Sequence, residues 1–170
     1  MFRTSLNLLM LLVPTLLCAA QDPAYAPLWP YQGTWQVAAL GQKPYELINQ
    51  CAVVGKYFAC QQTINGKAGG LLVIIPTGQR GHYYTQTIMP EGRATGRDDL
   101  EISGTQWIYR SRRQEGIKTT QYRTINNFMG KDHIHFEQAQ STDGKEWKVV
   151  NSGDQRRTST KSTAKGPARR

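Results

Sequence analysis

The chain has 170 residues, of which 39% are apolar and 19% are charged, with 16 glycines and 8 prolines. This ordinary globular composition excludes a collagen-like or wholly disordered protein. The 21 lysines and arginines against 12 acidic residues give a net charge of +9, and three cysteines are too few for a small disulfide-dense scaffold.

Residues 1–20 are typical of a secretory signal peptide. Arg3 supplies a positive charge, residues 6–17 form an almost wholly apolar run, and Cys18 and Ala20 are small residues at the positions that a signal peptidase reads. We predict cleavage after Ala20 and a secreted or periplasmic location. A membrane anchor is the weaker interpretation, because a spanning helix needs about 20 apolar residues.

The rest of the chain is predicted to lack a transmembrane segment, since no later run is long and apolar enough to span a bilayer. A lipid anchor on Cys18 is another alternative, but its motif needs a small residue before the cysteine, and Leu17 stands there. The predicted organisation after the signal is an N-terminal lead over 21–32, a β-rich domain over 33–158 and a tail over 159–170.

The β-rich domain shows apolar residues with a period of two, in short runs that Gly, Pro, Asn and Asp interrupt. No window carries a helical stripe. This pattern predicts an all-β fold, an antiparallel up-and-down barrel of about 8–10 strands. The candidate strands are 33–40, 45–54, 57–65, 69–75, 82–89, 99–103, 105–112, 117–127, 133–141 and 146–157.

One hairpin fixes the pairing of the two cysteines that remain after removal of the signal. Gly55 and Lys56 suit a two-residue turn. Counting outwards from that turn places Cys51 directly opposite Cys60, on a non-hydrogen-bonded pair where the Cα atoms lie about 4.5 Å apart. That separation is within the range of a disulfide, so the turn and the cysteines together predict a Cys51–Cys60 bridge.

A second hairpin is predicted around Asp143–Gly144, again as a two-residue turn. In that register Gln140 faces Trp147, and Phe136, Trp147 and Val149 share the inward face. Because an up-and-down barrel must close on itself, the first strand is expected to pair with the last. Trp35 on the first strand and Trp147 on the last are both predicted to point inwards.

The tail differs in composition from the domain. Residues 154–170 carry a net charge of +5 and are otherwise mostly Ser, Thr, Gly, Pro and Ala. This composition indicates a disordered basic extension. The plainer interpretation is a solvated tail without a partner, and the alternative is contact with an anionic envelope surface rather than with nucleic acid, because the protein is predicted to be exported.

Two motifs resemble a known family. Gly33-Thr34-Trp35 at the start of the first strand resembles the opening of lipocalins. The segment from Ile134 to Phe136, followed by Ser141-Thr142-Asp143-Gly144-Lys145-Glu146-Trp147 and Arg156-Arg157, is similar to the last hairpin of a bacterial family of lipocalin-like (calycin-type) barrels of unknown function. The resemblance covers about residues 28–158 and implies a barrel with an internal cavity. It implies no catalytic residues, and it includes neither the cysteine pair nor the tail.

His133, His135 and Glu137 lie on one face of a predicted strand and offer a ligand set for zinc or copper. That face also carries Lys148 and is expected to meet solvent. A solvated polar face is therefore the better interpretation, and we predict no metal and no cofactor.

The other candidate sites, for calcium, nucleophilic catalysis and phosphate binding, are also not supported by the sequence. Asp98, Asp99 and Glu101 lack the twelve-residue calcium pattern, and Asp98 and Asp99 point to opposite faces of an extended segment. We expect a polar turn and a charged edge strand there. No nucleophile with a plausible His base and no Gly-rich phosphate loop is present in the sequence.

Aromatic side chains are frequent on the strands, and packing in the barrel core and on its outer wall explains most of them. The functional hypothesis takes the alternative, that some of them line a cavity. It is a non-catalytic binding protein that holds a small apolar or amphipathic ligand in the barrel, with five candidate contacts: Trp35, Tyr84, Trp107, Phe136 and Trp147. One alternative is an envelope interaction protein with a packed barrel, which uses its surface and basic tail to engage anionic lipid, cell-wall polymer or a protein. A second alternative is an enzyme with an unrecognised site.

Overall fold

A computed structural model describes residues 22–158 of the chain. The predicted signal peptide over 1–20 and the predicted tail over 159–170 lie outside the described residues. Within residues 22–158 no helix is long and apolar enough to cross a bilayer.

The described chain is almost entirely β-structure, as the sequence predicts. A short 3₁₀ helix, Ala26–Tyr31, is followed by ten strands. They are β1 (Gly33–Ala39), β2 (Tyr45–Val54), β3 (Tyr57–Ile64), β4 (Lys67–Pro76), β5 (His82–Ile88), β6 (Asp98–Ser103), β7 (Gln106–Glu115), β8 (Lys118–Phe128), β9 (His133–Ser141) and β10 (Lys148–Arg157).

The ten strands form a closed antiparallel up-and-down barrel, in which each strand pairs with its neighbours in sequence. The barrel closes where β1 pairs with β10, with Trp35 opposite Arg157 and Val37 opposite Gln155. This confirms the predicted pairing of the first and last strands. Closure removes the free sheet edges that would otherwise template association with other chains.

The β2–β3 hairpin follows the predicted register at each position counted. Val54 lies opposite Tyr57 and Cys51 opposite Cys60. The two cysteines form a disulfide, with their Cα atoms 4.0 Å apart. Gly55 at the turn has a φ of 60°, a conformation that glycine adopts without a steric penalty.

The β9–β10 hairpin differs from the prediction. Gln140 lies opposite Lys148 instead of Trp147, and a bulge between Val149 and Asn151 shifts the register again. A one-residue shift sends side chains to the other face of a sheet. Trp147 therefore lies outside the barrel, against the guanidinium of Arg123, and Val149 is half exposed.

The cause of the shift is a longer, side-chain-capped loop. The hydroxyl of Ser141 accepts the backbone N–H of Gly144, and the carboxylate of Asp143 accepts those of Lys145 and Glu146. The bonds from Lys145 and Glu146 are the main reason that the pKa of Asp143 lies below its ordinary value. Because the side chains satisfy the backbone from 144 to 146, Asp143–Gly144 is not the centre of a two-residue turn.

One end of the barrel is closed by the N-terminal lead, which the sequence did not predict. The 3₁₀ helix inserts Leu28 and Tyr31 into the barrel end, where both are buried. The Tyr31 ring lies 5.6 Å from that of Trp107, which in turn lies 4.9 Å from that of Phe128. Trp35 completes this aromatic plug and donates its Nε1–H to the Tyr31 carbonyl at 3.2 Å.

Candidate functional site

The half of the barrel beyond the aromatic plug holds a cavity of about 450 Å³. Inward-facing side chains of every strand from β2 to β10 contribute to its wall. Gln42, in the loop between β1 and β2, lies at the rim, and Tyr31 forms part of the floor. The size is within the usual range of small-molecule pockets, about 300–1,000 Å³.

The lining is mainly polar. Four residues are aliphatic or phenylalanine: Leu47, Ile64, Leu72 and Phe136. Side-chain amides come from Gln42, Gln62, Asn126, Gln138, Asn151 and Gln155. Hydroxyl groups come from Tyr31, Tyr45, Thr85, Thr87, Tyr109 and Thr124. Because amides and hydroxyls both donate and accept hydrogen bonds, this wall suits a ligand with many polar groups.

Asp98 supplies the one carboxylate that residues 22–158 contribute to the lining. It lies on β6 opposite Thr85 of β5, and it points inwards while the adjacent Asp99 is exposed, as the alternation of a strand predicts. Burial raises the pKa of the Asp98 carboxyl above its ordinary value, an effect that the nearby Arg113 charge and a hydrogen bond with Ser111 partly offset. The cavity wall therefore carries a carboxyl group that is costly to ionise.

The floor of the cavity is a hydrogen-bonded polar layer. The buried side chain of Asn49 donates to the Tyr31 carbonyl at 3.1 Å and accepts from Gln62 Nε2 at 3.1 Å. Burial raises the pKa of the Tyr31 phenol, and that of Tyr109 well above its ordinary value, so both remain neutral donors at physiological pH. On the wall, Asn151 donates to the Gln138 side chain at 3.0 Å.

Of the five predicted ligand contacts, the structure brings only Phe136 to the cavity. Trp35 and Trp107 do face inwards, but both are buried in the plug at the closed end. Tyr84 is on the outer face, where the Arg97 guanidinium lies 4.0 Å from its ring centroid. Trp147 is outside because of the β10 register. Period two predicts that residues share a face, but it does not say which end of the barrel they occupy.

Sequence reasoning missed the polar residues of the cavity because a single polar residue on a strand is usually assigned to the solvent-facing side. Asn126 and Thr124 on β8, for example, alternate with Ile125 and Asn127, so hydrophobicity gives no inward face for that strand. The available signal was the position of polar residues two apart on several neighbouring strands. That signal can be interpreted only once the register between the strands is known.

The histidine cluster lies on the outer wall, on the face that was predicted to meet solvent. His133 Nε2 and His135 Nδ1 are 2.6 Å and 3.3 Å from the same oxygen of Asp154. The hydrogen bond with His133 is the main reason that the pKa of Asp154 lies below its ordinary value. Within residues 22–158 no group of three His, Cys, Asp or Glu residues is arranged to hold a metal ion.

The cavity offers hydrogen bonds from many directions and one carboxyl group. No His, Cys, Lys or Ser belongs to the lining as far as residues 22–158 are concerned. The chemistry that this wall supports directly is recognition of a polar molecule.

Comparisons with known proteins give likenesses to solved structures, three chains of which match this one. No protein-family model matches the chain, and no curated protein matches it. The fold is similar to the crystal structure of Rv2717c from M. tuberculosis, with 12% sequence identity and a TM-score of 0.48, over 81% of this chain and 99% of that chain.

Proposed function

We propose that this protein is a non-catalytic binding protein of the secreted or periplasmic space, and that it holds a small polar or amphipathic ligand in the open half of its barrel. The observation that carries the proposal is the cavity of about 450 Å³ with its wall of amides, hydroxyls and one carboxyl. Polar groups that line a cavity without hydrogen-bond partners cost free energy, so water or a ligand is expected to bond to them.

An aromatic-lined barrel would favour an apolar ligand, but the lining of this cavity favours a more polar one. The large aromatics are used in the plug, and Leu47, Ile64, Leu72 and Phe136 leave the cavity only a minor apolar surface. A molecule with several hydroxyl or amide groups and a small apolar part matches this lining. A ligand hydroxyl could bond to the protonated Asp98 carboxyl. A ligand amine in its cationic form would stabilise the ionised carboxylate, which burial disfavours.

The compartment is supported by the disulfide. A Cys51–Cys60 bridge persists in oxidising surroundings and is rare in the cytosol. Together with the sequence of residues 1–20, it favours export.

The test is recovery of a ligand with the protein. The full chain would be purified without denaturation from its native envelope fraction and measured by native mass spectrometry, with any released molecule identified afterwards. A retained polar mass is expected for the native protein. Thr124→Phe places a ring in the cavity and should abolish retention, whereas Ile125→Phe, on the outer face of the same strand, should leave it intact.

The outcomes separate clearly. Circular dichroism would first confirm that both variants are folded. Retention of the same mass by Thr124→Phe would place the ligand elsewhere and refute the cavity proposal. Absence of any retained mass from the native protein, together with no effect of the extract on its melting temperature, would also refute it. An apolar mass would overturn the polar ligand class while leaving the site.

A further inference from the structure

Arginines are concentrated on one part of the outer wall, away from the cavity. Arg97 precedes β6, Arg110 and Arg112 lie on β7, and Arg123 lies on β8. Their positions are adjacent across the sheet, since Arg110 lies directly opposite Arg123 and also opposite Asp99. On these described strands Glu101 is paired with Arg110 at 2.8 Å and Asp99 adds a second carboxylate, while Asp143 and Glu146 lie in the loop between β9 and β10.

The loop between β9 and β10 turns this part of the wall into a recess. Gly144 of the loop packs against the side chain of Gln121 on β8. Trp147 follows at the end of the loop and lies with its ring centroid 4.3 Å from the Arg123 guanidinium. Between the loop and the strands is a cleft of about 580 Å³, whose lining includes Arg97, Arg110, Arg112, Gln121 and Trp147. We call it the arginine cleft.

The guanidinium groups of the arginine cleft are available for an anion. Within residues 22–158, no carboxylate lies within 4.0 Å of Arg97 or Arg112, whereas Arg110, the third arginine of the lining, is paired with Glu101. Stacking on Tyr84 holds Arg97 with its N–H edges free to bond. A guanidinium held in this way loses less entropy when it binds a carboxylate or phosphate.

We propose that the arginine cleft binds an acidic saccharide, through its carboxylate or phosphate groups and its sugar hydroxyls. The arginines match the anionic groups, and Gln121 and Asp99 match hydroxyls. The indole of Trp147, which lines the cleft, provides an apolar surface of the kind that sugar rings pack against. This site is separate from the cavity, so the proposal does not depend on the ligand of the barrel.

A saccharide fits this site better than a lipid bilayer does. The groups that face the ligand lie in a recess between a loop and the sheet, and a flat membrane surface cannot enter a recess. Polar and charged side chains line it, with Trp147 as its one large apolar side chain among the residues described. A membrane-binding surface would instead present apolar side chains, and Ile117, the fully exposed apolar residue between β7 and β8, is not among the lining residues of the cleft.

The experiment measures binding of tetragalacturonate, an acidic probe, by calorimetry with the full chain at low salt. Maltotetraose is the neutral control. The double variant Arg97→Gln/Arg112→Gln should weaken binding by at least about tenfold, because two charge-assisted contacts are lost. The matched variant Arg80→Gln/Arg156→Gln removes the same charge from exposed positions outside the cleft and should change affinity less than about twofold. Trp147→Ala should also weaken binding.

Each other result overturns the proposal. Equal weakening by both double variants would mean attraction to the net charge of the protein alone. Equal binding of maltotetraose would remove the role of the arginines. Failure of tetragalacturonate to bind would refute the saccharide proposal. If the protein instead bound vesicles of phosphatidylcholine and phosphatidylglycerol, with a dependence on Arg97 and Arg112, the cleft would be assigned to a membrane surface. Circular dichroism would show that all variants are folded at the temperature of the binding measurement.

Discussion

The guanidinium of Arg157 lies 4.2 Å from the centroid of the Trp35 ring. Arg157 is the last residue of β10 and Trp35 lies near the start of β1, so this contact stands where the barrel closes. Arg157 also donates to the carbonyls of Pro30 at 2.8 Å and Gln32 at 2.6 Å, which hold the end of the N-terminal plug. A third bond, at 3.0 Å, goes to the Lys131 carbonyl.

The contact also explains the glycine of the Gly-x-Trp motif. Gly33 has a φ of 128°, in a region that side chains rarely adopt. A Cβ built on Gly33 would meet the Arg157 guanidinium. Glycine is therefore required both by the backbone and by the space that Arg157 occupies.

Arg157→Ala should destabilise the protein markedly. Three bonds from a charged donor and the stacking on Trp35 are lost; hydrogen bonds to charged groups contribute roughly 1.5–3 kcal/mol each, and solvent access at this rim reduces that contribution. We expect the free energy of unfolding to fall by about 2–4 kcal/mol. Arg156→Ala, at the exposed neighbouring position, should stay within about 0.5 kcal/mol. Denaturant unfolding measures both, and equal effects would contradict the assigned role.

The two tryptophans predicted to be equivalent should behave differently. Trp35 is fully buried in the plug, so Trp35→Ala should cost about 3–5 kcal/mol in free energy of unfolding. Trp147 packs on the outer wall, and Trp147→Ala should cost less than half as much. A comparable loss for both variants would mean that Trp147 is a core residue after all. Chemical denaturation with the same reference protein gives the comparison.

The contrast between the two hairpins shows what the sequence could predict. At Gly55–Lys56 nothing in the turn competes with the backbone, so counting from the turn gave the register and the disulfide. At Asp143–Gly144 the side chains of Ser141 and Asp143 bond to the loop backbone, and β10 carries a bulge. The dipeptide alone did not reveal either feature, and the face of Trp147 was wrong as a result.

The fold was predictable because alternation is a local property of each strand. The site was less so, because a cavity is a property of the whole barrel. The plug takes up the large aromatics at one end, and the N-terminal lead that completes it has no period of its own. Asp98 was correctly placed on the face opposite Asp99, yet nothing local indicates that its face is the inner one.

The disulfide should contribute measurably to stability. The bridge closes a loop with a sequence separation of 9, which in the chain-entropy model stabilises by about 2.5–3 kcal/mol. The double variant Cys51→Ala/Cys60→Ala should lose about that amount in urea unfolding. Mass mapping of non-reduced peptides checks the bridge directly, and free thiols in protein isolated from the envelope would contradict it.

Residues beyond Thr158 should be dispensable for folding. The backbone N–H of Thr158 bonds to the Thr34 carbonyl at 2.9 Å, and β10 is complete before it. A chain truncated after Thr158 should therefore keep its melting temperature to within a few degrees. Truncation after Arg156, which also removes Arg157, is the control and should lower it clearly. A large drop for the first truncation would show that the tail packs on the barrel.

Asp98→Asn should change how stability depends on pH. Burial raises the pKa of the Asp98 carboxyl, so the folded protein binds this proton more tightly than the unfolded chain does. The protonated Asp98 carboxyl therefore contributes stability that is lost as the pH rises from the ordinary carboxyl pKa, about 3.9, through the raised pKa in the folded protein. The amide that this substitution introduces cannot ionise, so the loss disappears in the variant.

The advantage of Asp98→Asn over the native protein should accordingly be small near pH 4 and grow towards pH 7. Urea unfolding at several pH values measures the difference, and titrating groups common to both proteins cancel. Asp99→Asn is the matched control, because the neighbouring carboxyl points outwards and is exposed. Parallel pH curves for Asp98→Asn and the native protein would mean that the Asp98 carboxyl is as well solvated as one on the surface. In that case the polar wall of the cavity, open to bulk water, would not be the enclosed environment that a bound ligand needs.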